Sequence, residues 1–206
     1  MTVREKILAN TTNFFMQEGC RKVTMDEIAT YNCMSKRTLY ENFRDKNDLV
    51  EQCVLYGNNL ANSHYSEFMN CSDNVLDFLL EGYEGHQSSV MGNYISFLDE
   101  VKKYFPEIYR KTVDYIKKSH RDMLSLILKR GQDDGFIIKL IATEDMVMAM
   151  ASIMKATVLL SSDKESVMSH QKIFKLLNVI YLRGLATDKG RAVIDEFLEK
   201  HKNDNN

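Results

Sequence analysis

Residues that break helices are rare in this sequence. Its 206 residues include one proline, nine glycines and no tryptophan. Because proline and glycine are the residues that most disfavour helix interiors, their scarcity favours a mostly helical protein. A chain of this length with 44% hydrophobic residues can bury a core, as one domain or as a small domain joined to a larger one.

Cysteine and long apolar runs are also scarce. The four cysteines, at positions 20, 33, 53 and 71, form no Cys-x-x-Cys pair, which favours reduced thiols in a cytoplasmic protein over a redox or metal site. The longest nearly unbroken apolar run, residues 146–154, is too short to cross a bilayer, and the charged start carries no secretory signal. We therefore predict a cytoplasmic protein without a metal or a cofactor.

Sequence signatures of catalysis are missing as well. The chain has no His-Glu-x-x-His, no Gly-x-Ser-x-Gly, no glycine-rich phosphate loop and no nucleophile–base pattern, and its five histidines are scattered. The net charge of −2 argues weakly against indiscriminate binding to nucleic acid. The sequence predicts that the protein is not an enzyme.

Apolar residues recur at helical spacing along most of the chain, and the alternation typical of strands is absent. The first helix is expected to begin near Arg4 and to end at Gly19. Later helix starts are marked by Thr24 with Glu27, by Ser35, Pro106 and Thr143, and by Ser166 or Ser169. We therefore predict an all-α protein.

Residues 25–43 have the form of a short helix, a tight turn and a second short helix. Leu39 and Phe43, spaced i, i+4, face inward, and polar residues occupy the opposite side. This is the spacing of a helix-turn-helix, whose second helix enters the DNA major groove. Side chains able to reach base edges or phosphates are Thr24, Ser35, Lys36, Arg37, Thr38, Tyr40 and Lys46.

Several points in this segment stay open. The same residues could form a helical hairpin used only for packing, with Lys36 and Arg37 on a solvated face. Arg37 is the candidate for a base contact, but it could equally bind phosphate or remain a surface arginine. If the turn requires a positive φ, Cys33 costs about 1 kcal/mol more than glycine, unless Asn32 takes that conformation instead.

Residues 14–50 resemble the DNA-binding domain of TetR/AcrR transcriptional regulators. The residues that carry the resemblance are Phe15, Gly19, Thr24, Ile28, Ala29, Ser35, Thr38, Leu39, Tyr40, Phe43 and Lys46. Two departures are Asn32-Cys33 in place of Ala-Gly in the turn, and Arg37 in place of a frequent glycine. The resemblance implies an N-terminal three-helix helix-turn-helix domain, residues 1–47, and a larger helical ligand-binding and dimerisation domain, residues 48–206.

The resemblance also implies that a small molecule enters a cavity between the later helices and changes the affinity for DNA, through the helix that starts near Lys46. The polar candidates are Tyr83, His86, Tyr94, Tyr115, His120 and Thr157, and the apolar lining is Met91, Phe97, Met123, Met150 and Met154. Methionines re-pack easily, which suits a cavity for several apolar ligands. The alternative for each residue is ordinary core packing.

Two helices near the C-terminal end, residues 146–160 and 173–185, are apolar around most of their circumference. Such helices must be covered on both sides, either by the same helices of a second copy or as central helices of a monomer core. We favour a homodimer. Together with the homodimer, the resemblance implies a repressor that binds a palindromic operator in double-stranded DNA and is released by a small, largely apolar ligand. The alternative is a helical protein-interaction module without sequence-specific DNA binding.

Overall fold

The computed structural model describes residues 1–72, 74–80, 90–161 and 168–202, with the side chains of residues 90–92, 158, 161 and 170 excepted. Within these ranges the regular structure is helical, and β pairing is limited to one antiparallel bridge between Ile137 and Ala186. The all-α prediction is confirmed.

The helices follow one another in the order expected from the sequence. They are α1 (Val3–Glu18), α2 (Met25–Tyr31), α3 (Lys36–Asn42), α4 (Lys46–Cys71), α5 (Val75–Leu80), α6 (Val90–Tyr104), α7 (Pro106–Asp133), α8 (Thr143–Ser161), α9 (His170–Phe174), α10 (Ile180–Leu185) and α11 (Asp188–Lys200). A π-helical segment, Lys175–Val179, joins α9 to α10. Gly135, with a φ of 76°, follows the end of α7.

Side-chain caps fix the helix starts that the sequence predicts. At the start of α2, the Thr24 hydroxyl accepts from the Glu27 amide while the Glu27 carboxylate accepts from the Thr24 amide at 2.7 Å. Ser35 caps α3. Ser169 caps α9, so the second of the two predicted serines is the one used, and Ser166 lies outside the described ranges. Each cap satisfies amides that the helix itself leaves without partners.

The chain packs as two compact units. The first comprises Met1–Tyr65 and His86–Ser119, and the second comprises Ser66–Gly85 and His120–Asn206. The first unit's core contains Ile7, Phe15, Ile28, Leu39, Phe43, Val54, Tyr94 and Phe97. The second unit's core contains Leu76, Leu128, Ile137, Met150, Val179, Leu182 and Ile194. The predicted boundary between residues 47 and 48 remains a prediction about functional domains.

In the second unit, the stretch that follows α7 pairs with the stretch that precedes α11. The Ile138 amide donates to the Leu185 carbonyl at 2.8 Å, and the Thr187 amide donates to the Phe136 carbonyl at 3.0 Å. The Thr187 hydroxyl donates to the Gly135 carbonyl at 2.6 Å and also caps α11. These hydrogen bonds therefore hold the start of α11 against the main chain of Gly135 and Phe136.

The two apolar helices predicted near the C-terminal end each bury one side. Met150 of α8 is in the core, but Met148 and Leu159 on the same helix are 68% and 63% exposed. In the other helix, Leu176 and Ile180 are 48% and 60% exposed. We refer to Met148, Leu159, Leu176 and Ile180 as the apolar face; within the described protomer these large side chains remain in contact with solvent.

The four cysteines are free thiols, with Cys20 and Cys53 buried. Burial raises the pKa of Cys53 to about 12, so this thiol stays protonated at neutral pH. Among the described residues, no group of His, Cys, Asp and Glu is arranged to hold a metal ion. None of the described helices combines the length and apolarity needed to cross a membrane.

The turn between α2 and α3 contains the one non-glycine residue with a positive φ in the described ranges, Cys33 at 53°. Asn32 has a φ of −85°, so the alternative in which Asn32 takes the left-handed conformation is wrong. The Asn32 side-chain amide instead donates to the Ile28 carbonyl at 2.9 Å and to the Thr11 hydroxyl at 3.2 Å. Asn32 is thereby fixed and the backbone reverses at Cys33.

Replacing Cys33 with glycine is expected to raise the free energy of unfolding by about 0.5–1 kcal/mol, because glycine relieves the left-handed strain while giving back part of the gain as chain entropy. Urea denaturation followed by circular dichroism measures the change. Cys33→Ala, which removes the thiol but keeps the strained Cβ, should show no comparable gain. Equal stabilisation by both variants would mean that the thiol, and not the backbone, sets the effect.

Candidate nucleic-acid interface

The second helix of the helix-turn-helix is anchored by its apolar side. Leu39 and Phe43 are 0% and 1% exposed, and Ile28 and Ala29 bury the matching side of α2. Tyr40, one position beyond Leu39, is 51% exposed. Because helix positions rotate by about 100° per residue, anchoring one side of α3 turns the opposite side to solvent.

Three of the predicted DNA-contacting hydroxyls, those of Thr24, Ser35 and Thr38, lie at helix starts and already take part in hydrogen bonds there. The Ser35 and Thr38 hydroxyls share a hydrogen bond of 2.9 Å, and Ser35 also accepts from the Thr38 amide. The Thr24 hydroxyl donates to the Glu27 carboxylate at 2.8 Å. Hydrogen bonds from the Thr24 amide and hydroxyl lower the pKa of the Glu27 carboxyl, so the cap stays intact at neutral pH.

The two basic residues of α3 are each paired with a carboxylate. The Lys36 ammonium lies 2.5 Å from the Asp26 carboxylate of α2. The Arg37 Nε donates to the Glu41 carboxylate, one turn further along α3, at 2.9 Å. All four side chains are more than half exposed, and Arg37 and Glu41, each two positions from Leu39, lie on the side of α3 opposite it.

Lys46, the first residue of α4, is turned towards the loop between α1 and α2. Its ammonium donates to the Arg21 carbonyl at 2.9 Å and lies 5.7 Å from the centre of the Phe105 ring. Burial lowers the pKa of Lys46, while the nearby Cys20 and Glu100 act in the opposite direction. Lys46 thus ties the start of α4 to the loop that leads into α2.

A carboxylate from α6 holds the same loop. The Glu100 side chain accepts hydrogen bonds from the amides of Cys20 and Arg21, at 2.5 and 3.2 Å. The Arg21 guanidinium lies over the Tyr104 ring, 4.4 Å from its centre. Glu100 is 80 positions away from Cys20 in the chain, and no feature of the sequence indicates the contact.

The predicted ligand-contacting residues that the structure describes are divided between the two units. Tyr83 and His86 lie outside the described ranges, and the side chain of Met91 is not described. The remaining candidates in the first unit are Tyr94, Phe97 and Tyr115, and those in the second are His120, Met123, Met150, Met154 and Thr157.

Within each unit these candidates differ in environment. Tyr94 is fully buried and its hydroxyl donates to the Val54 carbonyl at 3.0 Å. The Thr157 hydroxyl donates to the Ile153 carbonyl at 3.0 Å and accepts from the side-chain amide of Asn178 at 2.7 Å. Core packing accounts for these two hydroxyls without a ligand. Tyr115 is 53% exposed, and burial lowers the pKa of His120.

The fold and the exposed second helix define a helix-turn-helix DNA-binding protein, and comparison with known proteins agrees. Residues 7–53 match the family model of bacterial regulatory proteins, tetR family. No curated protein matches the chain by sequence. The match confirms the resemblance of the N-terminal segment to the DNA-binding domain of the tetR family, and the chain shares an all-α fold with solved structures of that family. The family model describes regulatory proteins, which agrees with the prediction that the protein is not an enzyme.

Solved structures similar to the chain extend the likeness beyond the DNA-binding segment. A TetR-family regulator from Cytophaga hutchinsonii has a TM-score of 0.68 at 15% identity, covering 90% of this chain and 95% of that one. A TetR-family regulator from Marinobacter aquaeolei VT8 has a TM-score of 0.66 at 17% identity, covering 98% and 99%. A protein described as a transcriptional regulator from Saccharomonospora viridis, in complex with choline, has a TM-score of 0.66 at 14% identity, covering 89% and 97%. At these identities the likeness establishes the fold.

Proposed function

We propose that this regulator binds a palindromic operator as a homodimer, represses the adjoining genes in the cytoplasm, and leaves the DNA when a small, largely apolar molecule binds the larger helical domain. The observation that carries the proposal is that Lys36, Arg37 and Tyr40 are exposed on α3, a helix that Leu39 anchors in the core. An exposed polar helix of this kind fits the major groove.

The residues of this surface divide into two roles. Arg37 is assigned to a base edge, because its guanidinium can donate two parallel hydrogen bonds to the O6 and N7 atoms of guanine. Ser35, Lys36, Thr38 and Tyr40 are assigned to phosphates, which fix the register of the protein on the duplex. Ser35 and Thr38 can donate to phosphate only if their shared hydrogen bond rearranges.

Thr24 and Lys46 are the other two residues assigned to phosphates. Each already has a hydrogen-bond partner within the protein, which it would have to release. The Thr24 hydroxyl would exchange the Glu27 carboxylate for a phosphate oxygen, and Lys46 would turn from the Arg21 carbonyl. For Lys46 the exchange replaces a neutral carbonyl with an anionic phosphate oxygen, which an ammonium favours, whereas for Thr24 it replaces one anionic oxygen with another. Because its ammonium would bind either the Arg21 carbonyl or a phosphate, Lys46 would link the loop before α2 to DNA binding.

The apolar face supports the homodimer. Its four large side chains lie on α8, on the π-helical segment and at the start of α10, and α8 packs against the π-helical segment in the second unit. A twofold axis through this face would cover the same residues on both copies, as closed dimers require. Two copies would present their α3 helices to successive major grooves about 34 Å apart, hence an operator with two inverted half-sites.

The effector is the least constrained part of the proposal. The similar structure from Saccharomonospora viridis is in complex with choline, which supports a small-molecule site in this fold. In this chain, Met123, Met150 and Met154 of the second unit supply side chains that re-pack readily around an apolar molecule. A ligand would release the DNA only through different affinities for the bound and free conformations.

Selection from random double-stranded DNA tests the proposed function directly. The purified protein is expected to enrich an inverted repeat, with an affinity that falls steeply as salt is raised. Enrichment of no sequence would contradict the proposal and would favour a helical protein-interaction module. An inverted repeat would support both the DNA-binding role and the dimer.

The phosphate contacts are tested by Lys46→Ala and Tyr40→Phe. Lys46→Ala is expected to weaken binding to every sequence by about tenfold and to reduce the slope of log affinity against log salt by about one. Tyr40→Phe, which removes only a hydroxyl, should weaken binding without changing the slope. Gel shifts at several salt concentrations measure both effects, with Lys111→Ala, which removes an exposed lysine paired with Glu51, as the control. Undiminished binding by both variants would contradict the assigned contacts.

A further inference from the structure

The exposed pair on α3 joins the candidate base-reading residue to an acidic neighbour. Arg37 is 89% exposed and Glu41 58% exposed, and the Arg37 Nε donates to the Glu41 Oε1 at 2.9 Å. The pair spans one helical turn on the exposed side of α3. A carboxylate therefore stands on the surface that the proposed function turns towards phosphates, where a negative charge weakens attraction to DNA.

The geometry of the pair leaves the reading edge of the arginine available. The contact uses the Nε–H group, whereas the forked recognition of guanine uses the N–H groups of the terminal nitrogens. A carboxylate at Nε also restricts rotation of the guanidinium plane. An arginine held in this way loses less freedom when it meets a fixed pair of acceptors than an arginine that moves freely.

Phosphates and guanine differ in what they offer to such an arginine. Phosphates are present at every step of the duplex, and a mobile cation can reach them in many orientations, which produces affinity without sequence preference. Guanine presents O6 and N7 at one place and in one orientation. An arginine whose orientation is restrained and whose charge is partly neutralised therefore gains less affinity from phosphates than from guanine.

We propose that Glu41 is a specificity-determining residue of this regulator, acting through Arg37: it positions the guanidinium for a guanine in the operator half-site and reduces binding of Arg37 to phosphates in unrelated DNA. This inference rests on the proposed function. Glu41 is a positioning residue and need not touch DNA itself.

An ordinary surface ion pair is the alternative explanation of the same contact. Exposed pairs spaced i, i+4 stabilise a helix slightly and have no bearing on which DNA is bound. The two explanations differ in one quantity, the ratio of the affinity for the operator to the affinity for unrelated DNA. That ratio changes on removal of the carboxylate only if the carboxylate acts on recognition.

The experiment begins with the sequence that wild-type protein enriches from random DNA. Affinities for that sequence and for a scrambled duplex of equal length are then measured at two salt concentrations for wild type, Glu41→Gln, Arg37→Gln and the double variant. Glu199→Gln is the matched control, since it removes the same charge from an exposed pair, 3.1 Å apart, between Glu199 of α11 and Lys202 just beyond that helix. Thermal unfolding confirms that all variants are folded.

Glu41→Gln is expected to lower the specificity ratio about fivefold, mainly through tighter binding to scrambled DNA, and to reduce the preference for guanine at one half-site position. In the Arg37→Gln background the same change should leave the ratio unaltered, because the residue through which Glu41 acts is absent. Glu199→Gln should match wild type.

Two results would overturn the inference while leaving the proposed function in place. The first is a specificity ratio in Glu41→Gln that equals that of the wild-type protein. The second is a fall of the specificity ratio on Glu41→Gln that is the same with and without Arg37, which would show a charge effect independent of Arg37. Failure of wild-type protein to enrich any sequence would overturn the proposed function and this inference with it.

Discussion

Replacing Leu159 and Ile180 together with glutamate is expected to leave the protein monomeric and to weaken operator binding at least about a hundredfold, because a monomer binds one half-site without the linked second one. Both side chains belong to the apolar face and are 63% and 60% exposed, so the protomer should tolerate the change. Twofold symmetry would place four carboxylates in the interface, each of which costs several kcal/mol when buried without a partner. Dimer dissociation should therefore be favoured by about a thousandfold or more.

Sedimentation equilibrium measures the association, and a gel shift on the selected operator measures the second effect. Leu140→Glu is the control, because Leu140 is 90% exposed and lies between α7 and α8 rather than on the apolar face. It should leave both the dimer and the operator affinity unchanged. A double variant that remains dimeric would place the interface elsewhere on the molecule.

Replacing Gly190 with alanine is expected to lower the free energy of unfolding by about 2–4 kcal/mol, at or above the usual range for overpacking, because the obstacle is main chain. A Cβ at this position would lie 2.2 Å from the Phe136 carbonyl oxygen. That oxygen also accepts from the Thr187 amide at 3.0 Å, so it cannot withdraw without loss of the contact that docks α11.

Gly184→Ala is the matched control for this prediction. Gly184 lies in α10, and a Cβ there would meet no atom within 4 Å. Alanine should therefore be neutral or stabilise the protein by about 0.5–1 kcal/mol through its higher helix propensity. Urea denaturation of both variants at equal protein concentration measures the difference. Equal midpoints for the two variants would show that α11 can move away from residue 136 at little cost.

Features that depend on neighbouring residues could be predicted from the sequence. The caps at Thr24 and Ser35 and the inward side of α3 follow from spacings of three or four residues, and the structure has them. The capping box of Thr2 with Glu5 has the same signature and could have been found in the same way. The Arg37–Glu41 pair also depends on a spacing of four residues, so the pair itself could have been predicted. Its position on an exposed side of the helix could not.

Features that depend on distant residues could not be predicted. The pairing of residues 136–138 with 185–187 joins two stretches that look like unrelated loops in the sequence. The π-helical segment Lys175–Val179 leaves no mark in the apolar pattern, because one extra residue in a turn alters the hydrogen bonds and not the composition. The attachment of Lys46 to the Arg21 carbonyl likewise becomes visible only when the two segments are placed together.

Because Glu100 is the hydrogen-bond acceptor, it affects which substitutions the loop between α1 and α2 can tolerate. Its two partners are main-chain amides, which every residue except proline provides. The attachment to Glu100 therefore places no requirement on the side chains at positions 20 and 21, although burial in the core separately limits what can replace Cys20. The restraint falls on position 100, far away in the chain, where a shorter or uncharged side chain would release the loop.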